Sequence, residues 1–248
     1  MEFNPDITKQ ATELIFSCKK ASPLHPPLIF NDTDVRKVDE HKHLGLVLDS
    51  RLSFRKHLTE KIKMAKMNLG IIKNLSKFLP RKTLDQMYKT LVRSHLDYCD
   101  VIYHTPSYQT QPFFGLSLHS LMNEVERIQY QAALAISGTW QGSCRNKLYE
   151  ELGWESLSDR RFSRRLLLIH KIINNQTPSY LKDKLLPFRR PLYSRTNENT
   201  LREYRCKSSR YMNSFFPHAT ASWNVFIAHF EEIHLLKNPI FGSFQKTY

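Results

Sequence analysis

Asp97 and Asp100 flank Tyr98-Cys99 at a spacing of three. On a continuing helix that spacing would set both carboxylates on one side, the first requirement of a metal or acid–base site. One pair does not hold the two metal ions of a polymerase or nuclease, and the chain has no adjacent aspartates. We read the pair as helix-end carboxylates. His41 and His43 alternate along a strand and so share a face. They lack the further ligands a metal site needs and read as exposed edge-strand histidines. Cys99 with distant histidines is a generic combination. Gly-x-Ser-x-Gly, a glycine phosphate loop and His-Glu-x-x-His are all missing. The expectation is a chain with no catalytic site of its own, no metal and no cofactor.

Positive charge is the stronger signal. Lys+Arg 37 against Asp+Glu 23 gives a formal +14 with a sequence pI near 9.7. Such an excess draws polyanions and speeds encounter with them. Between Arg51 and Arg93 twelve basic residues stand against Glu60 and Asp85 alone. A solvated helix face normally mixes signs, because Glu–Lys pairs at four-residue spacing support it. A phosphate backbone would supply the missing anions. The candidate nucleic-acid contacts are Arg55, Lys56, Lys61, Lys63, Lys66, Lys73, Lys77, Arg81, Lys82 and Lys89. A second basic cluster spans Arg160, Arg161, Arg164 and Arg165. A looser third mixes Arg189, Arg190, Arg195, Arg202, Arg205, Lys207 and Arg210 with Tyr193, Tyr204 and Tyr211, a mixture that suits single strands.

The elements that must position these residues follow from periodicity. Residues 13–17, 27–30 and 43–49 are short apolar runs, read as strands of a small antiparallel sheet. Leu58, Ile62, Ala65, Leu69, Ile72, Ser76 and Leu79 step by four and three, one face of a helix that Pro80 stops. A second helix follows, with Leu84, Tyr88, Leu91 and His95 on one side and Met87, Val92 and Leu96 widening the stripe. Together they predict a helical hairpin. Residues 104–118 read as a loop. A third helix carries Leu121, Val125, Ile128, Ala132 and Ala135 and ends at Ser137-Gly138. Helices near 146–152 and 158–174 come next, the latter with Ser158 as N-cap. A last one runs from about Phe216 to His229. The fold class is α+β, predominantly helical. The expected segments are 1–50 (β), 51–103 (basic hairpin), 104–120 (linker), 121–186 (helical), 187–213 (basic, irregular) and 214–248 (final helix and tail).

Four dispersed cysteines form neither a zinc knuckle nor a dense disulfide framework, so a reducing compartment is expected. No signal-peptide pattern opens the chain and no apolar run nears the ~20 residues of a membrane span. An intracellular protein, nuclear or cytoplasmic and free of membranes, is the expectation.

The order of segments resembles the C-terminal part of reverse transcriptases of non-LTR, jockey-like retrotransposons. Phe3-Asn4-Pro5-Asp6 and residues 9–17 resemble the stretch just after their catalytic Asp-Asp, and His43 to Asp49 their Leu-Gly strand. Residues 52–58, 93–100 and 126–132 are similar to the helices that follow their palm. Residues 148–157, Arg160-Arg161, 213–217 and Trp223-Asn224 continue the likeness. The resemblance implies that His43, Leu44 and Gly45 lie against a primer end and that residues 51–96 form a thumb gripping a template–primer duplex. It also implies that the polymerase carboxylates belong upstream of this sequence. The expected function is therefore nonspecific electrostatic binding of template–primer duplex or RNA, without polymerase activity of the chain's own. Two alternatives stand beside it. One is a helical protein-interaction module, for instance toward the missing polymerase portion in trans, with an exposed apolar patch. The other is a decayed reading frame with no selected function.

Overall fold

The carboxylate of Asp49 organises the passage from strands to helices. It accepts the Ser53 N–H at 2.9 Å, the Ser53 hydroxyl at 2.9 Å, the Phe54 N–H at 2.9 Å and the Arg51 N–H at 3.0 Å. Burial alone would raise its pKa. The hydrogen bonds, those from Ser53 first, outweigh burial and hold the carboxyl below its usual range. Leu52 and Phe54 take positive φ of 50° and 55° to wrap the chain around it. The computed structural model describes residues 11–17, 25–30, 33–103, 116–185 and 200–234. Among these, 11–103 with 116–157 form one compact unit and 158–234 belong to a second. The division falls inside the stretch 121–186.

The molecule is predominantly helical, with small two-stranded ladders near its start. The ladders are not one antiparallel sheet. β1 (Thr12–Glu13) pairs in parallel with β4 (Arg36–Lys37), whereas β2 (Ile29–Phe30) and β3 (Thr33–Asp34) pair antiparallel. β5 (Glu40–His43) and β6 (Leu46–Asp49) form an antiparallel hairpin with His43 opposite Leu46. The run 43–49 is thus not a continuous strand. Leu44 (φ 46°) and Gly45 (φ 81°) make a two-residue turn in which both central residues have positive φ, as in a type I′ hairpin. Of the first apolar run, 13–17, only Glu13 lies in a ladder, at the end of β1.

α1 (Arg55–Leu75) buries Leu58, Ile62, Ala65, Leu69 and Ile72, the face its period predicts. Each such Leu or Ile contributes roughly 1.5–3 kcal/mol. After Pro80 the chain runs through α2 (Arg81–Met87), a π-helical turn at Tyr88–Arg93 and α3 (Ser94–Asp97). Its buried stripe is Leu84, Tyr88, Val92 and Leu96, while Leu91 is exposed and His95 only half-buried. The wider π turn carries the inward face one position along, so a steady step of four replaces the expected 84-88-91-95. The helix breaks at Tyr98-Cys99, where Cys99 has φ 58°, and resumes as α4 (Asp100–Tyr103).

α5 (Leu116–Ser137) starts earlier than the sequence predicts and packs Val125, Ile128, Ala132, Ala133 and Ile136 into the same core. Leu121 and Ala135, expected on that face, are half-buried. α6 (Arg145–Leu152) ends in a Schellman motif. Gly153 N–H reaches Glu150 O at 3.1 Å and Trp154 N–H reaches Tyr149 O at 2.7 Å, with Gly153 at φ 63°. The motif aims Trp154 inward, stacked on Tyr88 with ring centroids 4.2 Å apart. Its indole N–H donates to Asp85 Oδ1 at 2.8 Å. Buried Gln129 completes the arrangement, accepting from Tyr88 O–H at 2.8 Å and donating to Glu155 O at 2.7 Å. Burial pushes the Tyr88 hydroxyl well above its usual pKa.

The second unit is built on α7 (Leu157–Ile173), whose first residue still packs in the first core, α8 (Ser179–Lys182), α9 (Ser209–Met212) and α10 (Phe215–His234). Ser158 lies within the first turn of α7, so it is not the N-cap; Ser156 precedes the helix. Asn175 at φ 55° closes α7, with Gln176 N–H on Lys171 O at 2.9 Å. Leu166, Ile169, Ile172, Leu185, Leu201, Ala219 and Trp223 form the core. Asn224 pins the segment around Leu201 by accepting its N–H at 2.9 Å and donating to its carbonyl at 2.8 Å. No helix among the described residues is long and apolar enough to cross a membrane.

Candidate nucleic-acid interface

α1 exposes two neighbouring stripes. Lys56, Lys63, Lys66, Gly70, Lys73 and Lys77 step by seven, three, four, three and four, so they line one flank of the helix and its end. Beside them run Glu60, Met64, Met67, Ile71, Asn74 and Phe78. Met64, Met67, Ile71 and Phe78 are 42, 58, 49 and 80% exposed. Lys61 lies on the opposite flank, its ammonium 4.5 Å from the centroid of the Tyr98 ring. The candidate lysines therefore do not form one row.

Tertiary structure also supplies anions that the local sequence lacks. Lys56 pairs with Glu40 of β5 and Lys66 with Glu124 of α5. Glu40 holds the Lys56 ammonium above its ordinary pKa. Arg81 lies 2.6 Å from Glu151 of α6, and Lys89 2.7 Å from Asp85. Lys73 donates to Gln131 Oε1 at 3.1 Å. Among the described residues Arg55, Lys63, Lys77 and Lys82 meet no partner. These pairs are exposed, apart from the half-buried Lys89–Asp85, hold little energy and leave the long-range field standing.

Two surface cavities separate the cations into different environments. One, about 570 Å³ at the start of α1, is lined by Glu40, Asp49, Ser53, Arg55, Lys56, Thr59 and Glu60. Three carboxylates there repel phosphate, so Arg55 and Lys56 sit in a mixed field. The other, about 400 Å³, lies between the last turns of α1 and α5. Lys73, Arg127, Tyr130, Gln131, Thr139 and Gln141 are among its lining, which contains no carboxylate. Arg127 is exposed and meets no partner among the described residues. The lysine flank, from Lys63 to Lys77, runs into this cleft through Lys73.

Sequence reasoning singled out the lysine flank and not Arg127 or Gln131, which α5 brings to the same cleft. Trp140, in the polar loop after α5, is 88% exposed. His43, Leu44 and Gly45 form the hairpin tip, with Leu44 82% exposed. Tyr98 O–H donates to the Leu44 carbonyl, and a Cβ on Gly45 would come within 2.9 Å of that hydroxyl. His57 beneath the hairpin is buried, accepts the Val47 N–H at 3.4 Å, and has its pKa lowered by burial first and Lys61 second.

The other clusters divide. Arg161 and Arg165 are buried, so half of the second basic cluster faces inward. Arg202, Arg205 and Lys207 are exposed, while Arg189, Arg190, Tyr193 and Arg195 lie outside the described residues, as do Phe3 to Asp6. Asp97 closes α3 with Arg93 3.9 Å away, and Asp100 opens α4 fully buried. His41 and His43 share an exposed face, ring centroids 6.4 Å apart. Among the described residues no group of three or more His, Cys, Asp or Glu side chains could hold a metal. Compared with known protein families, curated proteins and solved structures, the chain matches none.

Proposed function

We propose that this chain binds nucleic acid electrostatically and without sequence preference, and that it is a catalytically incomplete relative of the jockey-like reverse transcriptases its sequence resembles. The observation that carries the reading is the carboxylate-free cleft between α1 and α5, which Lys73 and Arg127 both line and from which the lysine flank continues outward. Phosphates laid along Lys63, Lys66, Lys73, Lys77 and Arg127 release counterions, which drives binding regardless of sequence. The binding surface is the α5 side of the helical hairpin, not both its faces, since Lys61 lies on the other flank over Tyr98 and Lys89 is paired with Asp85. Charge reversal tests this directly. Lys63→Glu with Lys77→Glu weakens binding to an RNA–DNA hybrid at least tenfold, and Lys82→Glu with Arg55→Glu weakens it much less. Equal losses from both pairs would refute the assignment of the face.

A second reading rests on the exposed stripe Met64, Met67, Ile71 and Phe78. Apolar side chains at helical spacing on a solvated face are suited to cover by a partner helix or sheet. On that reading the chain docks the fingers–palm portion of a jockey-like polymerase supplied in trans. Met67→Asp with Ile71→Asp then abolishes co-purification of the two pieces, and Lys63→Glu leaves it intact.

A further inference from the structure

The cleft of the proposed phosphate-binding face has more in it than charge. Beside it, Trp140 is 88% exposed; its chain neighbours Thr139 and Gln141 line the cleft, and its own ring lies outside that lining. Its loop is tied down. Tyr130 O–H donates to Ser143 O at 2.9 Å and accepts the Gly142 N–H at 3.2 Å. The Ser143 N–H and hydroxyl close back on the Trp140 carbonyl at 3.2 and 2.8 Å. The Arg145 guanidinium covers the Tyr130 ring at 5.5 Å, and Ser137 and Thr139 hydroxyls share a hydrogen bond of 2.7 Å. The turn thus fixes the backbone that carries an exposed indole, a ring with a free face for a flat partner to cover.

Polar groups of the right kind adjoin it. Gln131 accepts from Lys73, and its amide N–H groups, like the whole side chain of Gln141, meet no partner among the described residues. Carboxamides next to a stacking ring are the usual readers of exposed base edges, and cations flanking them hold the phosphates. The volume of about 400 Å³ suits one nucleotide better than a duplex. A paired base offers no free face to Trp140, whereas an unpaired one does.

We infer that the cleft between α1 and α5 is a site for an unpaired nucleotide, whose base stacks on Trp140 beside it and bonds Gln141 while Lys73 and Arg127 hold its phosphates. The inference rests on the nucleic-acid reading above and makes it specific: the preferred ligand is a duplex with a single-stranded tail. Stacking of one base corresponds to about fivefold or more in affinity.

Fluorescence anisotropy with a blunt RNA–DNA hybrid and the same hybrid bearing a short unpaired tail tests it on the full chain. The tail tightens binding at least fivefold. Trp140→Ala, and separately Gln141→Ala, remove most of that gain while leaving blunt-hybrid affinity within twofold. Both side chains are exposed, so neither change threatens the fold. Equal affinity for the two hybrids, or a tail gain that survives Trp140→Ala, overturns the nucleotide site while nucleic-acid binding itself stands. Binding of neither hybrid at low salt overturns both.

Discussion

Gly45 and Tyr98 meet from segments more than fifty positions apart. The turn needs positive φ at position 45, and the Tyr98 hydroxyl occupies the space where a side chain would begin. Gly45→Ala therefore destabilises the first unit by about 1–2 kcal/mol, and Tyr98→Phe by about 1 kcal/mol through the lost hydrogen bond, as urea midpoints would show. Cys144 is distinguished by different physics. It is exposed before the first turn of α6, and the N–H groups of Lys147 and then Asn146 pull its pKa below the ordinary thiol value. Iodoacetamide at neutral pH alkylates Cys144 ahead of half-buried Cys99 and Cys206; mass spectrometry of the peptides reads the order. Faster labelling of Cys99 would contradict the assigned environment.

At the scale of elements, the period of α1 was fully legible, because five buried positions in a 21-residue helix repeat one pattern without interruption. The following helix was legible in its apolar stripe, Val92 and Leu96 included, but past Tyr88 the centre of that stripe was set at Leu91 and His95. The π turn there moves Val92 and Leu96 inward, and nothing in the apolar pattern alone announces a change of pitch. The Leu44-Gly45 turn was hidden for a related reason: leucine seldom takes positive φ, so an apolar run containing it reads as strand. The lysine flank could be read from spacing. Arg127, Gln131 and Trp140 could not, since α5 and its loop reach the cleft only through packing. That packing hangs on Trp154, stacked on Tyr88 and bonded to Asp85. Trp154→Ala costs about 3–5 kcal/mol by denaturant unfolding; a cost below about 1 kcal/mol would show that α6 is not anchored there.

Across the whole molecule, charge counted along the chain overstates what the surface presents. Glu40, Glu124 and Glu151 come from distant elements to meet Lys56, Lys66 and Arg81, and Arg161 and Arg165 are buried. The second unit carries its own pH dependence. Burial first, and the Arg165 guanidinium second, push His218 down to about 4, with Arg165 Nη1 donating to His218 Nδ1 at 2.7 Å. The unfolded chain takes up that proton near 6.5, so between about 6.5 and 4 it binds more protons than the folded unit. Stability is therefore full above that window and is lost as pH falls through it. His218→Gln reduces the loss in melting temperature between pH 7 and pH 5, whereas an unchanged loss would remove His218 as its source. The face between α1 and α5 remains the central claim, and salt tests it most directly. With about five phosphates neutralised by the five cations of that face, the logarithm of the binding constant for an RNA–DNA hybrid falls against the logarithm of salt with a slope of about −4.5. The Lys63→Glu, Lys77→Glu chain gives a slope shallower by about two. No binding at about 50 mM salt, or a slope near zero, would contradict the account.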